Sequence, residues 1–150
     1  MGYTHYFHDS VATPVVVAEA EKIIAATTVP LVGNFEGTVG PRISEADGIW
    51  LDGVAPDDYE TFLLPSPHNR DRHEFGSVKT GMRPYDEVVV AILVAVILDG
   101  QHVSSDGGPA EWAPGIALFE RAVRPLTAVE SAELLMVLAS RYAPLRSETL

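Results

Sequence analysis

Lys79, Thr80 and Arg83 stand directly before Pro84-Tyr85-Asp86-Glu87 and a long apolar run. These residue types, in this order, suit a seat for a small anion. Proline fits the first position of a helix, where its missing N–H would have no partner anyway. The other amides of a first turn point outward with the helix dipole. A lysine and an arginine beside them would complete a site for phosphate, sulfate or carboxylate. Asp86 could reach back to one of those amides as a cap. In this reading Lys79 and Arg83 contact the anion and Thr80 and Tyr85 add hydrogen bonds. His5, Tyr6 and Trp112 line the pocket.

Charge placement supports the location. The chain has ten Lys and Arg, and four of them (Arg70, Arg72, Lys79, Arg83) fall in residues 70–83. With Asp71 and Glu74 that stretch sums to +2, so the rest of a chain of net charge −11 carries −13. Exposed ion pairs contribute only ~0–1 kcal/mol each, so stability alone explains such clustering poorly. The plainer reading is that Lys79 and Arg83 neutralise neighbouring carboxylates.

Other chemistries have less behind them. His5, His8, Asp9, His68, His73 and Glu74 are metal-ligand types. On a strand, however, His5 and His8 face opposite sides, and the loop pair lacks a metal-binding spacing. No metal and no cofactor is implied. Ser104-Ser105-Asp106-Gly107 with His5 has the members of a serine–histidine–acid set. It lacks the G-x-S-x-G elbow, and Ser-Asp-Gly is first of all turn chemistry. Residues 33–40 are glycine-rich without the lysine of a phosphate loop.

The bulk composition narrows the partners. At 150 residues the chain is expected to form one domain, and 47% hydrophobic content is too apolar for disorder. An acidic surface repels phosphate backbones, so neither duplex nucleic acid nor an anionic membrane is an expected partner. There are no cysteines, which removes disulfides and thiol chemistry together. The first ten residues lack a basic and an apolar region, so no signal peptide is expected. The longest apolar run, Val88–Leu98, is shorter than the ~20 residues that span a bilayer. A soluble cytoplasmic protein follows as the expectation.

The elements that must position these residues are predicted from pattern. Tyr3–His8 reads as a short strand, and Thr13-Pro14 opens a helix to Ala26. Residues 30–48 read as loop, with a brief strand at Leu31-Val32. Ile49–Val54, Glu60–Leu64, Ser77–Thr80 and His102–Ser105 read as strands. Pro84–Leu98 favours a strand by propensity but is too long for one, so it is predicted to be a buried helix, apolar all round. A helix over Pro114–Arg124 pairs Glu120 with Arg124 four residues on. Thr127-x-x-Glu130 caps a last helix carrying Leu134, Leu135, Leu138 and Tyr142. Together these give a single α+β domain over 1–150, with about four helices, one of them central, and a mainly antiparallel sheet.

The segments MGYTHYF at 1–7, ETF at 60–62, KTGMRPYD at 79–86 and SSDGGPAEW at 104–112 occur in a telling order. Together they resemble a group of small uncharacterised proteins encoded by bacteria and bacteriophages, which open with GYTHYW and carry FCKT..KPYD and SSDG segments. Phe7 replaces the tryptophan of that pattern, Val78 a cysteine, and Leu51-Asp52-Gly53 a Phe-Asn-Gly. The resemblance implies a shared fold and a shared pocket and names no substrate.

Three functions follow as expectations. The first is a non-catalytic accessory protein that binds a compact, nucleotide-like anion. The second is an acidic protein-interaction module whose Glu45-Asp47 and Asp57-Asp58 clusters meet a basic partner. The third is an enzyme using His5 with Asp106 or Glu60 as acid and base.

Overall fold

The apolar run beginning at Val88 decides the architecture. In the computed structural model, which describes residues 3–33, 39–69 and 76–139, it forms helix α2, Asp86–Leu98. Eleven of its thirteen residues are buried. Valine and isoleucine favour strands locally, but a helix without a polar face is stable wherever neighbours cover it all round. Helices α1 (Pro14–Ala26) and α3 (Pro109–Ala122) pack against it, and α4 (Ala128–Ala139) touches it more lightly.

Among the described residues seven short strands make two antiparallel sheets. In the first, β1 (Thr4–Tyr6) lies between β6 (Ser77–Lys79) and β7 (Ser104–Ser105). Its register sets His5 opposite Val78 on one side and Ser105 on the other. The second sheet is built around β4 (Gly48–Gly53), which pairs with β2 (Leu31–Val32), β3 (Arg42–Ser44) and β5 (Phe62–Leu64). Phe7, Phe62 and Tyr85 join both sheets to the α2 core.

The helix ends follow local chemistry. Thr13 caps α1, its hydroxyl accepting the Val16 amide at 3.3 Å. Gly100, at φ +88°, closes α2: its N–H reaches the Ile97 carbonyl at 2.9 Å, and that of Gln101 reaches Val96 at 3.2 Å. This pair of bonds needs a left-handed residue, which glycine supplies without a Cβ penalty. Thr127 and Glu130 exchange bonds of 3.1 and 2.9 Å at the head of α4, as their spacing predicts.

Several expectations change. Residues 42–44, read as loop, are β3, because β4 offers them an antiparallel partner that no local pattern announces. Helix α3 starts at Pro109 rather than Pro114: Glu111 accepts the Gly108 amide at 2.7 Å and so caps the earlier start. Arg124 does not pair with Glu120. It grips Glu130 through two bonds, 2.8 and 2.9 Å, while Glu120 accepts the Leu126 amide at 2.9 Å across the Pro125 turn. Helix α2 begins at Asp86, two residues after Pro84. Arg70, Asp71, Arg72, His73 and Glu74, with Tyr142, lie outside the described residues.

Candidate functional site

Placing β1 between β6 and β7 sends alternate side chains to opposite faces. His5 turns inward and is fully buried, whereas Tyr6 turns outward and is 37% exposed. Inside, His5 Nε2 lies 2.6 Å from Asp86 Oδ1 and Nδ1 lies 2.8 Å from Ser105 Oγ. Thr80 donates to the same Asp86 oxygen at 2.6 Å. The Trp112 indole N–H and the Gly107 amide both donate to Ser105 Oγ, at 3.0 and 2.9 Å. The Tyr3 and Trp112 rings meet His5 edge-on, with centroids 5.1 and 5.7 Å away.

One proton arrangement satisfies every member. His5 Nε2–H donates to the carboxylate, Nδ1 accepts the Ser105 hydroxyl, and Ser105 Oγ accepts two N–H groups. The chain Ser105–His5–Asp86 thus has the members of a nucleophile–base–acid relay. Its oxygen is saturated, however, with one bond donated and two accepted. Ser105 is 3% exposed, so no substrate carbonyl reaches it. The arrangement is well built to lock β1, β6, β7, α2 and α3 together. Buried polar groups left half-satisfied are costly, and here the valences close. The Tyr3 hydroxyl is the exception: it is buried against Gly107 with no well-formed hydrogen bond among the described residues, and burial first, then the Asp86 carboxylate, pushes its pKa up.

The acid–base pairing foreseen for His5 therefore uses a different carboxylate. Asp106 accepts the Thr4 amide at 3.0 Å, and Glu60 accepts the Lys79 amide at 2.8 Å. Sequence reasoning placed Asp86 as a helix cap and missed that it turns inward. No local pattern marks His5 as an inward residue, because its partners Ser105 and Asp86 stand 100 and 81 residues further along the chain.

The surface side of the same region is organised by Asp52 and Tyr85. The buried Asp52 carboxylate accepts the Gly53 amide at 2.7 Å, the Tyr59 amide at 3.2 Å and the Thr61 hydroxyl at 3.2 Å. It thereby fixes the turn from β4 to β5, and burial pushes its own pKa up in spite of these donors. The Tyr85 hydroxyl donates to the Glu60 carbonyl and tethers that turn to α2. Above it, Arg83 lies 5.8 Å from the Tyr59 ring centroid. Gly81 permits this contact: its φ is +60°, and a Cβ there would fall 2.7 Å from the Tyr59 ring.

The sequence-selected residues thus divide. His5, Thr80 and Trp112 meet inside, with their polar atoms engaged by one another's neighbours. Lys79 and Arg83 are exposed on the Tyr59–Tyr85 side, Tyr85 itself is an internal tether, and Tyr6 faces away from His5. The outward-pointing amides expected at the head of α2 are not free. Those of Asp86, Glu87, Val88 and Val89 donate to the carbonyls of Arg83, Pro84, Tyr85 and Tyr85, at 2.8–3.3 Å. Among the described residues three carboxylates (Asp57, Asp58, Glu60) stand around Tyr85, with two cations beside them, Lys79 next to Glu60 and Arg83 against Tyr59. Burial first, and then Asp52, Asp86, Glu60 and Asp58, push the Tyr85 hydroxyl pKa up.

A shallow cleft opens beside Tyr85, lined by Val29, Pro30, Gly53, Val54, Asp57 and Pro84 as well. Val54, which lines the cleft, is 41% exposed; Tyr59, which meets Gly81 and Arg83, is 46% exposed, and Met82 between those two residues is 59% exposed. Among the described residues no group of three His, Asp or Glu side chains is placed to hold a metal ion. No described helix is long and apolar enough to cross a membrane. No family model matches the chain, and neither a curated protein nor a solved structure does.

Proposed function

We propose that this is a protein-interaction module, and that the Tyr59 face engages a positively charged partner. One observation carries the reading: Val54, Tyr59 and Met82 are exposed around the Tyr85 cleft and the Gly81 turn, where carboxylates outnumber cations among the described residues. Exposed aromatic and methionine side chains are enriched at protein interfaces, and a surrounding field of one sign steers a partner of the other. The anion-binding reading uses the same face with the opposite sign. It loses support from the bonded amides of α2, since a lysine and an arginine facing Asp57, Asp58 and Glu60 supply little net attraction.

The two readings separate by experiment. A thermal-shift titration compares a capped tri-lysine peptide with inorganic tripolyphosphate, each at low and moderate salt. Binding of tri-lysine that weakens steeply with salt and is diminished by Glu60→Lys supports the interaction module. Stabilisation by tripolyphosphate that disappears in a Lys79→Ala/Arg83→Ala variant would overturn it in favour of the anion site.

A further inference from the structure

We infer that the cleft between Pro30, Val54, Pro84 and Tyr85 receives a single lysine or arginine side chain of the partner, whose charged head meets Asp57. This rests on the interaction-module reading and specifies where its recognition is centred. Size argues for a side chain rather than a whole metabolite. The cleft offers only about 30 Å³, far below the roughly 300–1,000 Å³ of small-molecule sites.

The lining has two parts, as a long basic side chain does. Val29, Pro30, Val54 and Pro84 offer apolar walls for the methylene stem, with Tyr85 beside them. Asp57 supplies the charge. It is exposed, and among the described residues no hydrogen bond or ion pair engages its carboxylate, although its amide is tied to the Val54 carbonyl at 2.9 Å. Gly53 holds the wall close: a Cβ there would fall 2.5 Å from the Asp57 carbonyl and 3.0 Å from the Tyr85 ring. Asp58, Glu60 and Asp52 add negative potential from behind, whereas Arg83 is drawn off over Tyr59. An acidic side chain entering the same space would meet that potential with the wrong sign.

The test is a titration of the isotopically labelled full chain with capped tri-lysine, and separately with capped tri-glutamate, followed by amide chemical shifts. Tri-lysine is expected to shift Val29, Gly53, Val54, Asp57 and Tyr85, and tri-glutamate to leave them in place. Asp57→Asn should weaken tri-lysine binding about fivefold, the size of one exposed ion pair, with its amide spectrum otherwise retained. Tri-lysine shifts that centre elsewhere, or that Asp57→Asn leaves at full strength, overturn the cleft while the wider interaction reading stands. Absence of tri-lysine binding at low salt overturns both.

Discussion

Asp86 Oδ1 lies 2.6 Å from His5 Nε2 and 2.6 Å from Thr80 Oγ1, so one carboxylate oxygen at the head of α2 holds both β1 and the end of β6. The contact joins residues 81 apart in sequence, and it lies where side-chain water is nearly excluded. Removing one partner from such a pair leaves a buried charge or donor behind, which costs more than the pair itself contributes.

His5→Leu should therefore destabilise the protein by about 3–5 kcal/mol in urea unfolding, because Asp86 stays buried with only Thr80 as donor. Adding Asp86→Leu should return part of that loss. A double variant whose destabilisation equals the sum of its two singles would show that the residues are not coupled.

Ser105→Ala removes the acceptor shared by the Trp112 and Gly107 N–H groups, and with it the hydroxyl that donates to His5 Nδ1. Two N–H donors would be left buried, at about 1–3 kcal/mol each. The same residue should resist a serine-directed fluorophosphonate, since its oxygen is saturated and covered. A covalent adduct on Ser105, found by intact-mass and peptide mapping, would turn the relay into a working nucleophile.

Gly115→Ala tests the contact between α3 and α2. A Cβ there would fall 2.3 Å from Val90 Cγ1 and 3.0 Å from the Glu87 carbonyl. Alanine is the better helix former by about 1 kcal/mol, but overpacking costs about 1–3 kcal/mol, so net destabilisation is expected. A raised melting temperature would mean that the two helices separate freely.

Acid sensitivity should track Glu130. Its two bonds to Arg124, then the Thr127 amide, hold its carboxyl at about 2, below the ordinary 4.5. A folded pKa below the unfolded one stabilises the fold above the unfolded value. That contribution is lost as pH falls from 4.5 towards 2. Arg124 is exposed and Glu130 half-buried, so added salt should still shrink the effect. Glu130→Gln should flatten the unfolding midpoint against pH across that window. An unchanged slope would show that the pair does not respond to pH.

The helices were legible because each carries its signals within a few residues. Thr13-Pro14 and Ala26 bound α1, the Val88–Leu98 run is too long for a strand, and Thr127 with Glu130 caps α4. What escaped the sequence is partly short-range. β3 pairs with β4 across a tight turn, Ser44 opposite Gly48, and α3 starts five residues early because Glu111 turns back to Gly108, neither of which a hydrophobic period announces. The candidate site escaped because its partners are distant. Asp86 sits where a cap belongs, and only the fold shows that His5 draws it inward. The Tyr59 face was missed for a related reason: a lone tyrosine carries no periodicity, and its neighbours Gly81 and Arg83 reach it across a turn.

The three-stranded sheet also sets an order of events during synthesis. β1 emerges first of the three, yet His5 meets Ser105 across 100 residues of chain. Until the ribosome has released β7, the opening strand has one ladder edge unmated and its imidazole in water. Contacts of such long sequence separation close slowly, because the intervening chain must be ordered first. A nascent chain halted before Ser105 should therefore leave β1 open to protease, and release of β7 should close it.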